Sequence, residues 1–205
     1  MSVVDEALTE LLTGRPPRDI EGLAQVYSSV PRRQNAAMAR TLAGLPETGR
    51  LPAKGTAERR RYDDYLRSLQ RYRAPVGRQR RRPNPSVLER LRAEARRRLT
   101  ARNVARARAE GLKMRVRVGY VFYEGGRRRV SDMPGTSGWV EIPPDERLAE
   151  VLDVWVAGER EEAGELLLAI FFVEYELPAL NDEEAEVEVY DAEVRWNDHA
   201  DMWRA

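Results

Sequence analysis

Between Arg50 and Arg117 the chain carries 23 Lys and Arg against 6 Asp and Glu, a balance of +17. Side chains that must stay hydrated or meet an anion cannot form a core. This third of the sequence is therefore restricted to amphipathic helices with cationic outer faces, or to extended arms laid along a polyanion. The opposite block lies downstream, where Val130 to Ala205 holds 4 Lys and Arg against 21 Asp and Glu, a balance of −17. The formal net charge of +1 conceals this segregation. Only Lys54 and Lys113 among the 23 cations are lysine, and arginine offers the planar fork that grips phosphates and guanine edges. The clustering is a stronger signal than the choice of arginine.

A chain of 205 residues with 42% apolar content has room for one generous domain or two small ones. The absence of cysteine excludes disulfides, zinc ribbons, iron–sulfur clusters and thiol nucleophiles. His199, between Asp198 and Asp201, reads as part of a solvated tail, so neither a metal nor another cofactor is expected. No apolar run approaches the roughly 18 residues of a membrane span, and Met1 to Glu10 carries acids where a signal peptide carries positive charge. The expectation is a cytoplasmic, nucleoid-associated protein with no membrane partner.

Hydrophobic spacing predicts helices over Val3–Leu12, after an Asp19 cap, and from about Arg33 to Leu45. A further helix runs from a Thr56 cap to Arg73, followed by an arm, Arg78–Arg82, and by a long helix with a Ser86 and Glu89 capping box that ends near Gly111. There the period changes from 3.6 to 2. Strands are predicted over Lys113–Tyr123 and Arg127–Val130 around a Gly125-Gly126 turn, and again over Gly138–Ile142 and Glu186–Trp196. Two acidic helices, Asp145–Ala157 and Arg160–Glu176, lie between the last two strands. The expected fold class is α+β: an all-helical, helix-turn-helix-type DNA-binding domain over residues 1–110, then a small acidic domain of antiparallel strands and two helices over 111–205.

Tyr62, Tyr65, Leu66, Leu69 and Tyr72 recur at helical spacing and read as a core-packing face. Around them stand Arg59, Arg60, Arg61, Arg67, Gln70, Arg71 and Arg73, with only Glu58, Asp63 and Asp64 to balance the charge. Uncompensated like charge costs stability, which points to double-stranded DNA as the missing polyanion. Arg67, Gln70 and Arg71 are the candidates for base edges; Arg78, Arg80, Arg81 and Arg82 enter a minor groove or clamp phosphates; Arg96 and Arg97 extend the basic surface. No catalytic constellation stands out. The acids Glu161-Glu162 and Asp182-Glu183-Glu184 read as solvated, and no enzyme activity is expected. The loop Pro134–Gly138 presents two hydroxyls, Thr136 and Ser137, on what is by itself an ordinary turn. The acidic half suits a protein partner, a homodimer contact, or a fold-back onto the basic half when DNA is absent.

Several motifs together resemble the telomere terminal proteins (Tpg-like) of actinobacteria with linear replicons. They are Leu69-Gln70-Arg71-Tyr72, the Arg82-Pro83-Asn84-Pro85 stretch, the helix from Leu88 to Arg98, Arg117-Val118-Gly119-Tyr120, the Gly135-Thr136 loop, the Pro143-Pro144 that opens a helix, and the last strand Glu186-Val187-Glu188-Val189-Tyr190-Asp191. The likeness covers roughly residues 65 to 196. It implies a helix-turn-helix protein that binds replicon ends and offers a hydroxyl, Thr136 or its neighbour Ser137, on which a partner DNA polymerase starts a strand. The sequence departs from the family in a longer hairpin, Phe122 to Met133, and an enlarged N-terminal helical region. The alternative is a helix-turn-helix repressor of a phage or plasmid, with the acidic half as dimerisation or partner-binding module.

Overall fold

The computed structural model describes residues 2–74, 82–124, 127–130, 135–174 and 186–197; for 120–124, 127–130, 135, 186 and 187 it describes the backbone alone. The fold is α+β, with seven helices and one antiparallel sheet among these residues. None of those helices is long and apolar enough to cross a membrane. The chain divides into two compact units, residues 13–101 and residues 1–12 with 102–205. The sequence had suggested a boundary near residue 110. The first helix and the last turns of the long helix instead belong with the acidic unit, because their apolar residues fill its core.

In the basic unit, α2 (Ile20–Tyr27) starts where the Asp19 side chain accepts from Gly22 N–H at 2.8 Å. Three residues later α3 (Pro31–Ala43) begins. It starts two residues earlier than expected, since proline at the first helical position has the right φ and no N–H to lose. The turn is pinned by Gln34, whose Nε2 donates to Ser28 O at 3.0 Å. Next, α4 (Ala57–Tyr72) is capped by Thr56, which accepts from Arg59 N–H at 3.2 Å. Finally α5 (Pro85–Glu110) contributes its N-terminal half. Its expected Ser86 cap is corrected to Asn84, whose Oδ1 accepts from Ser86 N–H at 3.0 Å, with Pro85 again at the first helical position. Leu23, Ala24, Met38, Leu42, Tyr62, Leu69, Leu91 and Ala95 form the core. The Tyr27 hydroxyl donates to Leu91 O at 2.9 Å, and burial pushes its ionisation well above the usual tyrosine range.

In the acidic unit, β1 (Leu112–Glu124) is the central strand. Along one edge β5 (Glu186–Trp196) runs antiparallel, from Leu112 opposite Trp196 to Val121 opposite Glu186. A strand has two edges, so the other edge receives β2 (Arg127–Val130), β3 (Gly135–Thr136) and β4 (Val140–Ile142) in succession. Leu112, Met114, Val116 and Val118 turn one face of β1 inward. Against that core pack Val4, Leu8 and Leu12 of α1 (Val3–Thr13), Val104 and Ala107 of α5, Leu148, Val151, Leu152 and Trp155 of α6 (Glu146–Ala157), and Leu167, Ile170 and Phe171 of α7 (Arg160–Glu174). The opposite, polar face of β1 carries Lys113, Arg115 and Arg117. A bulge follows Arg117: Asp191 pairs with Arg117 and Val189 with Val118, which leaves Tyr190 as the extra residue.

Candidate nucleic-acid interface

On α4 the buried Tyr62 and Leu69 are seven residues apart and define the inward side. Arg60, Asp64, Arg67 and Arg71 follow the i, i+4, i+7, i+11 spacing on the opposite side, and all four are exposed. Within this stripe Arg67 donates to Asp64 at 2.5 Å. Arg60 donates to Gly55 O at 3.0 Å, while Arg61 and Gln70 flank the stripe and are exposed. The side chains of Arg61 and Arg71 have no hydrogen-bond or ion-pair partner among the described residues.

Two of the arginines on this helix lie differently. Arg59 is half-buried, pairing with Asp63 at 3.1 Å while its guanidinium stands 5.7 Å from the Tyr62 ring centroid. Arg73 turns inward with a side chain only 17% exposed. It donates to Glu21 Oε2, Asn35 Oδ1 and Gln34 Oε1, each at 2.7 Å, tying the end of α4 to α2 and α3. Its donors are occupied within the fold.

The arginines of α5 also separate into two groups. Arg96 and Arg97 are exposed, Arg97 pairing with Glu94 at 3.0 Å, and Arg82 is exposed ahead of the helix. Arg90, Arg92 and Arg98 are instead engaged with groups of their own unit. Arg90 donates to Leu42 O at 2.7 Å, and Arg92 to Arg18 O. Arg98 lies over the Tyr27 ring at 4.5 Å and pairs with Glu47 at 2.6 Å. Arginine stems lie along apolar helix surface and carry their donors to carbonyls at its rim, an option that helical spacing alone does not reveal. Arg78, Arg80 and Arg81 lie outside the described residues, as do His199, Asp182, Glu183 and Glu184.

Counted over the two units, residues 13–101 hold 22 Lys and Arg against 8 Asp and Glu, a balance of +14; the remaining residues hold 13 against 26, a balance of −13. The charge segregation seen along the sequence therefore survives in the units. Residues that the sequence reading passed over are Arg32 and Arg33, exposed in the first turn of α3. The signal in the sequence is the Asp19 cap, the short apolar face of Ile20, Leu23, Ala24 and Tyr27, and Pro31 after three residues.

The two loop hydroxyls prove unequal. Ser137 is buried, its Oγ accepting from Val116 N–H at 3.0 Å and donating to Gly138 O at 2.8 Å. Thr136 is exposed and opens into a cleft of about 380 Å³ shared with Arg115, Arg117, Asp191 and Glu193. Arg115 is paired with Glu193, which holds that carboxyl below its usual range. Arg117 stands directly opposite Thr136 across the β1–β3 ladder, and its side chain is exposed without an ion-pair partner among the described residues. No protein-family model matches this chain, and neither a curated protein nor a solved structure shows significant similarity to it.

Proposed function

We propose that residues 13–101 bind duplex DNA as a helix-turn-helix unit, and that the chain acts at replicon ends in the manner of the telomere terminal proteins it resembles. The observation that carries this reading is the α4 stripe. Arg60, Arg67 and Arg71 share its solvent side, in a unit of balance +14, with Asp64 alone interposed. An anionic surface with phosphates along a groove matches such a row of guanidinium groups. The short α2, the three-residue turn and α3 support α3 as the reading helix, with Arg32 and Arg33 at the end that enters a major groove, in place of the base-edge role expected for Arg67, Gln70 and Arg71 of α4, whose row then follows phosphates. Footprinting on linear DNA with native ends tests the assignment. Protection confined to the ends, lost in Arg32→Ala/Arg33→Ala, is the expected result. Protection of an internal palindrome assigns the chain to repressors instead, and no protection removes the DNA-binding reading.

A second role, as protein primer, is favoured by the exposure of Thr136 beside Arg117. In that reaction the Thr136 oxygen bonds to the α-phosphorus of a deoxynucleoside triphosphate, the bond to pyrophosphate breaks, and the hydroxyl proton leaves to a base of the partner polymerase. Arg117 is placed to meet phosphate charge near the new bond. Incubation with a labelled deoxynucleotide and the native polymerase is expected to label the wild type and Ser137→Ala but not Thr136→Ala. Equal labelling of all three, or none of any, excludes Thr136 as the acceptor.

A further inference from the structure

At the turn between α6 and α7 the acidic unit forms an open bowl of about 760 Å³, lined by Asp5, Glu159, Arg160, Glu161, Glu162 and Glu165 together with Gly158. Five carboxylates therefore share one concavity with a single guanidinium. Asp5 forms part of its lining although its side chain is almost wholly buried, at 1% exposure. One carboxylate oxygen, Oδ1, has no hydrogen-bond partner. A buried, unpartnered carboxylate oxygen costs free energy unless a donor reaches it.

The backbone fixes Asp5 in this place. Its N–H donates to Ser2 Oγ at 3.3 Å in the first turn of α1, and Gly164 of α7 packs against it so closely that an added Cβ would stand 3.0 Å from Asp5 Cβ. On the rim, a hydrogen bond with Glu159, reinforced by the charges of Glu159, Glu165 and Glu150, pushes the Glu162 carboxyl above its usual range. Neighbouring carboxylates that share a proton are relieved when a cation enters.

We infer that this bowl is a receptor for arginine guanidinium groups presented by a second copy of the chain. A metal ion does not fit the geometry, since no group of three or more carboxylates among the described residues stands close enough to hold one. A guanidinium fork carries five donors across a wider span and serves two carboxylates at once. The cation at hand is arginine: the chain has 33 of them against two lysines, and its other unit carries the excess of +14. An acidic bowl of one copy meeting a basic segment of the next is a head-to-tail contact, which extends into linear arrays rather than closing as a symmetric dimer.

The probe is a labelled peptide with the sequence of residues 75–84, Pro-Val-Gly-Arg-Gln-Arg-Arg-Arg-Pro-Asn, titrated into the full-length protein at low salt. The isosteric pair Glu159→Gln/Glu162→Gln is expected to weaken its binding at least about tenfold, and Glu165→Gln alone to weaken it less. The control pair Glu141→Gln/Glu146→Gln, outside the bowl but equal in charge change, is expected to alter it less than about twofold. Equal weakening by both pairs, or by neither, overturns the site. Sedimentation of the intact protein at the same salt tests the occupant: the wild type is expected to associate with rising concentration and the bowl pair to remain monomeric. A wild type that stays monomeric throughout overturns the second copy as occupant. Thermal melts confirm that each variant is folded, and since no DNA is present the outcome is independent of the DNA-binding proposal.

Discussion

Arg71 and Arg73 are two residues apart on one basic helix, yet the structure gives them opposite consequences when removed. Arg73→Met deletes three hydrogen bonds of 2.7 Å, to Glu21, Asn35 and Gln34. The Glu21 contribution is discounted, because that carboxylate is 47% exposed and water replaces the lost partner. Gln34 is different: it is 5% exposed, and its Oε1 is left without the Arg73 donor in a place water reaches poorly. A net loss of about 1 to 1.5 kcal/mol for each charge-assisted bond to a neutral partner, plus part of the penalty for stranding Oε1, gives roughly 2 to 4 kcal/mol. In a unit of this size that corresponds to a melting shift of roughly 10 to 25 °C. Arg71→Met removes an exposed side chain with no partner among the described residues, so its stability is expected to remain within about 0.5 kcal/mol of wild type. Urea unfolding followed by circular dichroism reads both. Equal stability of the two variants would refute the argument that Arg73 serves the fold and Arg71 the surface.

Two further substitutions test the acidic unit. Gly111 has φ +74°, and an added Cβ would lie 2.5 Å from the backbone oxygen of Ile142, so Gly111→Ala is expected to destabilise by roughly 2 to 4 kcal/mol in urea unfolding; a loss under about 1 kcal/mol would contradict the close approach. Asp145 caps α6 by accepting from the N–H groups of Arg147 and Leu148, each at 3.1 Å. Slight desolvation pulls its carboxyl up, but the hydrogen bonds from Arg147 and Leu148 outweigh that and hold it below the usual range. A lowered folded pKa contributes stability that is present above the unfolded value of about 3.9 and is lost as pH falls through the folded value. Asp145→Ala is therefore expected to cost about 1 kcal/mol at neutral pH, with the difference from wild type shrinking at the acid end. A cost independent of pH would show that the carboxylate charge is not involved.

Local chemistry was largely legible in the sequence. The Asp19 and Thr56 caps, the change of period at Gly111, and the pairing of the strands that flank residues 125 and 126 all depend on neighbours within a few residues, and each is found in place. Pro31 and Pro85 each take the first helical position, which sets the start of α3 two residues before the expected Arg33 and moves the α5 cap from Ser86 to Asn84. Long-range partners could not be read. The bonds of Arg73 to Glu21 and of Arg98 to Glu47 cross dozens of residues, and helical spacing places an arginine on a side without saying what lies opposite. The place of Val4, Leu8 and Leu12 in the core of the acidic unit, about a hundred residues along the chain, was hidden for the same reason. Thr136 and Ser137 looked equivalent until the β1–β3 pairing buried one hydroxyl and left the other open.

The central claim, that the basic unit grips duplex DNA through its exposed arginines, is tested most directly by the salt dependence of binding. Arg32, Arg33, Arg60, Arg61, Arg67, Arg71, Arg82, Arg96 and Arg97 are exposed candidates. If they neutralise about eight phosphates, log K should fall against log salt with a slope near −7. Arg60→Gln/Arg67→Gln/Arg71→Gln should flatten that slope by roughly 2 to 3, because each phosphate contact contributes about 0.9. A wild-type slope shallower than about −2, or an unchanged slope in the triple variant, would contradict the account.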